Sequence, residues 1–139
     1  MVTIDASVLV AADSADEEAR ELARAFLERV LESGSAVHQP TLAIVEVTAA
    51  IARRTGDAAH ARAAGVHVLD MPGLVLHDLD PPTALVAAGL ASDLRLRAAD
   101  AVYAATALVH GTTLVTLDAE LATRAAGVIG TCAPGEWPA

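Results

Sequence analysis

From Ala101 to Leu117 the chain carries no Asp, Glu, Lys or Arg, and Asp100 and Asp118 close this run at its two ends. Two periods share it. The residues from about Ala99 to His110 suit a helix, Gly111 ends it, and TTLVTL reads as a strand. A helix from Asp100 to His110 rises about 15 Å at 1.5 Å per residue. The strand from Thr113 to Leu117 covers a similar distance at about 3.3 Å per residue. To bury both, the strand must run back along the helix, and that return brings Asp118 close to Asp100.

The rest of the chain repeats this alternation. VTI at 2 to 4 is a short buried strand with Asp5 at its carboxyl end. From Asp16 to Ser33, Ala19, Leu22, Ala23, Phe26, Leu27 and Val30 fall at helical spacing opposite Glu17, Glu21, Arg24 and Glu28. AVHQ suggests a second strand, and Pro40 and Thr41 open a helix that closes before Gly56. A helix is expected over Asp57 to Met71, a strand over 74 to 79, and a helix from Pro81 and Pro82 to about Leu94. DAELATRAA is helical before Gly127, and the residues from about 130 read as an irregular tail. Alternating strands and helices predict an α/β layer fold with a mostly parallel sheet, and 139 residues suit one domain, 1–139. Aromatic residues are only 2%, so Ala, Val, Leu and Ile must build the core.

Ligands of open α/β sheets bind outside the carboxyl ends of the strands. Asp5, Asp100 and Asp118 would share that rim, and Glu46, between Val45 and Val47 in a helix that begins there, can point into the same cleft. Two carboxylates about 4 Å apart repel by roughly 4 kcal/mol at an effective dielectric near 20. Retained protons or a hard divalent cation must offset this, and Mg²⁺ takes a few carboxylates plus water. Such a site suits hydrolysis of phosphate esters. Ser7 and Thr116, each two residues from an aspartate, can hydrogen-bond within it. Taken singly, Asp5 and Asp118 also fit helix N-caps, Asp100 a helix-start acid and Glu46 a surface residue. The metal reading rests on their joint placement.

Other classes are bounded by what the chain lacks. A single cysteine, Cys132, excludes an internal disulfide and a cysteine-based zinc site. The five histidines fall in no metal-ligand spacing such as H-E-x-x-H and read as surface or partly buried residues. The uncharged run is too short for a membrane span and MVTID is no signal segment, so a cytoplasmic protein with no membrane partner is expected. The net charge of -9 gives no overall basic footprint for nucleic acid, although all nine basic residues are arginines and a local patch can form. Without lysine, a P-loop is excluded and a receiver-like signalling domain, which needs a lysine beside its acids, is disfavoured.

IDASVLV at 4 to 10, LAIVEV at 42 to 47, AADAVYAATALVHGTTLVTLD at 98 to 118 and the helix beginning DAEL together resemble the PIN-domain ribonucleases, most closely the VapC-like toxins of toxin–antitoxin pairs. The resemblance covers almost the whole chain. It implies a three-layer α/β/α fold and an Mg²⁺- or Mn²⁺-dependent endoribonuclease. By it Asp5, Asp100 and Asp118 hold the metal, Glu46 positions or deprotonates water, and Ser7 and Thr116 orient the ligands. It also implies a homodimer, an RNA substrate and a cognate antitoxin covering the cleft. Arg53, Arg54, Arg95 and Arg97 are candidates for RNA contact. A PIN fold that only binds, without catalysis, is the alternative.

Overall fold

The computed structural model describes residues 1–138. Five strands, β1 (Val2–Ile4), β2 (Val37–Pro40), β3 (Leu74–His77), β4 (Thr113–Val115) and β5 (Thr131–Cys132), form one sheet in the order β3-β2-β1-β4-β5, all parallel. Seven helices connect them among the described residues: α1 (Ala6–Ala11), α2 (Glu17–Ser33), α3 (Leu42–Thr55), α4 (Ala58–His67), α5 (Pro81–Leu94), α6 (Ala98–His110) and α7 (Ala119–Ala125).

Strand alternation divides the interior in two. Val2, Ile4, Val37 and Val115 pack with Val8, Phe26, Val30 and Trp137 on one face. On the other, Leu114 packs with the alanine-rich side of α6 and with Val47, Ile51, Ala61 and Leu90. This is the three-layer arrangement. The small side chains that left the sequence poor in aromatics let α6 lie directly on the strands, where Ala101 to Ala107 are all buried.

The chain builds outward from β1 through β2 to β3, then crosses back to place β4 on the opposite side of β1. The point where strand order reverses is therefore between β1 and β4, and crevices of parallel sheets open there. Gly111, with φ of 62°, supplies the left-handed residue that ends α6 and turns the chain into β4. Helix α3, which carries Glu46, is held by α4 at a close crossing. A Cβ on Gly65 would stand 2.0 Å from Thr48 Oγ1 and 3.0 Å from the Ile44 carbonyl. Gly65→Ala is expected to cost about 1–3 kcal/mol by overpacking, read in urea unfolding. An unchanged midpoint would contradict this contact.

Four expectations are corrected. The strand read over 74 to 79 ends at His77, and the strand read as TTLVTL shortens to Thr113–Val115. The helix read over Asp57 to Met71 stops at His67, and residues 68–70 tighten into a 3₁₀ turn. The tail read as irregular carries β5, paired to β4 through Leu114↔Thr131 and Val115↔Cys132, then a 3₁₀ turn over residues 134–136. Trp137 beyond it is 6% exposed and meets Phe26 edge to face, with centroids 5.6 Å apart. A two-residue strand has no periodicity to read.

Candidate metal-dependent active site

Asp5 leaves β1 with its backbone N–H donating to the Val115 carbonyl, which ties the ends of β1 and β4 together. Its side chain is 6% exposed. Two hydroxyls donate to one of its oxygens, Oδ2: Ser7 Oγ at short range and Thr116 Oγ1 at 2.8 Å. Those hydroxyls are themselves fixed, since Ser7 Oγ accepts from the Leu117 N–H and Thr116 Oγ1 from the Asp118 N–H. The other oxygen of Asp5 has no hydrogen-bond partner among the described residues. Asp5 sits at the N-cap position of α1 yet caps nothing with its side chain, so the capping reading of this residue fails.

Asp118 does cap. Its Oδ1 accepts from the N–H groups of Glu120 and Leu121, while Oδ2 accepts from Arg97 at 2.7 Å. Arg97 reaches Asp100 as well, Nε to Oδ2 at 3.1 Å. One guanidinium thus bridges two of the acids. Its side chain is 73% exposed, so it holds them loosely.

Burial holds the carboxyl of Glu46 above its ordinary range. The facing charges of Asp5 and Asp100 push the same way, and Tyr103 and Arg53 oppose. Burial likewise raises Asp100, against the pull of Arg97 and with the push of Asp5 and Asp118. Tyr103, fully buried, faces Glu46 and Asp5, and its phenol is pushed far upward by burial first and by these two carboxylates next. Its hydroxyl completes no hydrogen bond of good geometry, and neither does Gln39 Oε1, whose amide donates to the Ile4 carbonyl one residue before Asp5. Tyr103 escaped the sequence reading, although it stands three residues after Asp100 and so shares its helix face.

A carboxyl with a raised folded pKa is ionised in the unfolded chain before the folded one. The fold therefore loses stability as pH climbs from the unfolded value through the raised folded value, and stays weakened above it. Glu46→Gln is expected to raise the melting temperature in EDTA at neutral pH, with the gain vanishing below the ordinary glutamate range. An equal gain at every pH would contradict the charge argument.

A groove of about 250 Å³ runs from Ser7 and Glu46 along Ala49 and Ala50 to Arg53. A larger cavity of about 350 Å³, under Leu9, Leu27, Ile51 and Met71, includes none of the four acids. The arginines divide. Arg53 lies near Glu46 and Arg97 on Asp100 and Asp118. Arg54 is committed to Asp13, at 2.6 Å, and to nearby carbonyls. Arg95 is exposed, with φ of 54°, between α5 and α6.

Hard carboxylate oxygens converging with like charge suit a hard divalent ion such as Mg²⁺ or Mn²⁺. The acids are spread more widely than a finished chelate. Among the described residues, the one group of three His, Cys, Asp or Glu ligand atoms within 4.8 Å of one another is that of His38, His77 and His110. Arg97 occupies Oδ2 of Asp100 and Oδ2 of Asp118, two of the oxygens a cation would take.

The profile of the PIN domain family matches residues 2–127. No curated protein matches the sequence. Among solved structures, FitAcB from Neisseria gonorrhoeae superposes with a TM-score of 0.72 at 20% identity, covering 99% of this chain and 100% of that one. VapC20 of Mycobacterium tuberculosis, described as a sarcin-ricin loop cleaving toxin, gives 0.73 at 18% over 93% and 97%. PAE2754 from Pyrobaculum aerophilum gives 0.66 at 25% over 94% and 81%.

Proposed function

Since the chain belongs to the PIN domain family, we propose that it is an Mg²⁺- or Mn²⁺-dependent endoribonuclease and the toxin of a VapBC-type toxin–antitoxin pair. The observation that carries this reading is the set of four carboxylates at the strand-order reversal, with Asp5 locked through one oxygen and open at the other. The likeness to a toxin that cleaves a sarcin-ricin loop supports RNA as the substrate class.

In this reading Asp5, Asp100 and Asp118 would hold the cation, which supplies positive charge to the scissile phosphate and to the attacking and leaving oxygens. Each residue has a task of its own. Ser7 and Thr116 keep Asp5 in one rotamer. Asp118 is oriented by its cap to α7 and offers only Oδ2. Glu46, whose carboxylate burial makes more basic than usual, takes the proton of the attacking water. Tyr103 faces the Glu46 carboxyl with a buried hydroxyl, and Arg53 extends the groove with a charge suited to phosphate.

Arg97 neutralises two of the acids and so competes with the cation. Arg97→Gln is expected to lower the Mg²⁺ needed for half-maximal cleavage by up to about fivefold, the scale of an exposed ion pair, and to raise KM for RNA. A higher Mg²⁺ requirement would contradict the competition. The same bridge is the one feature that favours a PIN fold that binds without cutting.

The deciding experiment incubates the purified chain with mixed pools of RNA and of DNA in Mn²⁺. Internal cleavage of RNA and sparing of DNA is expected, and intact RNA would reject the reading. We further infer a homodimer and an antitoxin whose basic segment meets this acidic chain, net charge -9. Such a complex should loosen as salt rises.

A further inference from the structure

About 15 Å along α6 from Asp100, counting ten residues at 1.5 Å each, three imidazoles meet. His38 comes from β2, His77 from the end of the edge strand β3, and His110 from the last turn of α6. His38 Nδ1 lies 3.0 Å from His77 Nε2. The rings of His77 and His110 stack with centroids 3.7 Å apart, and His38 stands 5.1 Å from each. One ligand nitrogen from each falls within 4.8 Å of the others, and all three residues are half-buried. None shares a local motif with another, so no sequence spacing announces the group.

We propose that His38, His77 and His110 form a second metal site, a structural one for a borderline ion such as Zn²⁺, that ties edge strand β3 to α6. Imidazole nitrogens suit Zn²⁺, Co²⁺ and Ni²⁺ and not Mg²⁺, which takes oxygen. The trio is therefore chemically separate from the acidic site. Tetrahedral Zn²⁺ with Zn–N near 2.0–2.1 Å places its nitrogens roughly 3.4 Å apart, so with all three within 4.8 Å of one another no pair has to close by more than about 1.4 Å. The stacked rings do this by turning about their side-chain torsions, which half-exposed surroundings permit. Water completes the fourth position. The ion joins a strand that has a neighbour on one side only to the helix that carries Asp100 in its first turn.

The test titrates the untagged, EDTA-stripped full chain with Co²⁺, reading its visible absorption, and with Zn²⁺ by calorimetry. The expected result is one equivalent bound, an absorption of tetrahedral intensity, and a melting temperature that rises with Zn²⁺. His77→Gln and His110→Gln should each weaken binding at least tenfold, whereas Asp100→Asn should leave it unchanged. Histidine ring NMR keeps the test decisive if a variant unfolds: Zn²⁺ should shift the signals of His38, His77 and His110 and leave His60 and His67 in place. No saturable binding by the intact chain, equal binding by the histidine variants, loss in Asp100→Asn, or shifts confined to His60 and His67 would each overturn the site.

Discussion

Asp5→Asn should reduce RNA cleavage by roughly 10²–10³-fold, the scale of losing one preorganised electrostatic group, while the protein keeps its fold. The substitution preserves shape and leaves an amide oxygen to accept from Ser7 and Thr116. It removes one negative charge from a rim where Glu46 and Asp100 already feel their neighbours. The melting temperature should therefore hold or rise as activity collapses. Rate measurements on RNA beside thermal unfolding separate the two effects. Retained cleavage would remove Asp5 from the chemistry, and a collapse of both would make it structural.

The second large effect lies far from the acids. Trp137→Ala should cost about 3–5 kcal/mol, the usual loss for a buried aromatic, of which the edge-to-face meeting with Phe26 accounts for about 0.5–1.5 kcal/mol. A domain stable by about 5–15 kcal/mol would lose a large share of its margin. The loss is expected because this end of the chain is tied down. Arg29 donates to the Pro134 carbonyl at 2.5 Å, Glu136 accepts from the Ala133 N–H, and Trp137 completes the core over α2. Urea unfolding of the variant reads it directly. A change below about 1 kcal/mol would mean that the indole is not part of the core.

That same segment marks where sequence reasoning stops. Helices α2, α3 and α6 were legible because each carries periodic apolar residues and ends at a glycine, and α5 because two prolines open it, so their ends fell within a residue or two. The approach of Asp118 to Asp100 followed from two lengths alone. Strand β5 was not legible, because two residues show no alternation and its pairing depends on a neighbour, β4, that only the fold supplies. Strand β3 was read two residues too long for a related reason: on an edge, the hydrogen bonds end before the apolar pattern does. The helix over Asp57–Met71 was read too far at its end, because residues 68–70 keep a helical sense while tightening into a 3₁₀ turn that no residue type announces.

Within the site the division is similar. The acids were found because carboxylates beside buried runs are conspicuous. Tyr103 was hidden by its apolar surroundings, where a lone aromatic reads as core. The bridge from Arg97 was hidden because a guanidinium three residues before Asp100 says nothing of Asp118, twenty-one residues away. The three histidines were hidden most completely, each on a different element and each unremarkable alone.

The most direct test of the central claim is the rate of RNA cleavage by the EDTA-stripped chain as Mn²⁺ is added back, with Glu46→Gln run alongside. The account predicts no cleavage without the ion, a saturable return with it, and little return in the variant. Cleavage that persists in EDTA and is untouched by Glu46→Gln would contradict it.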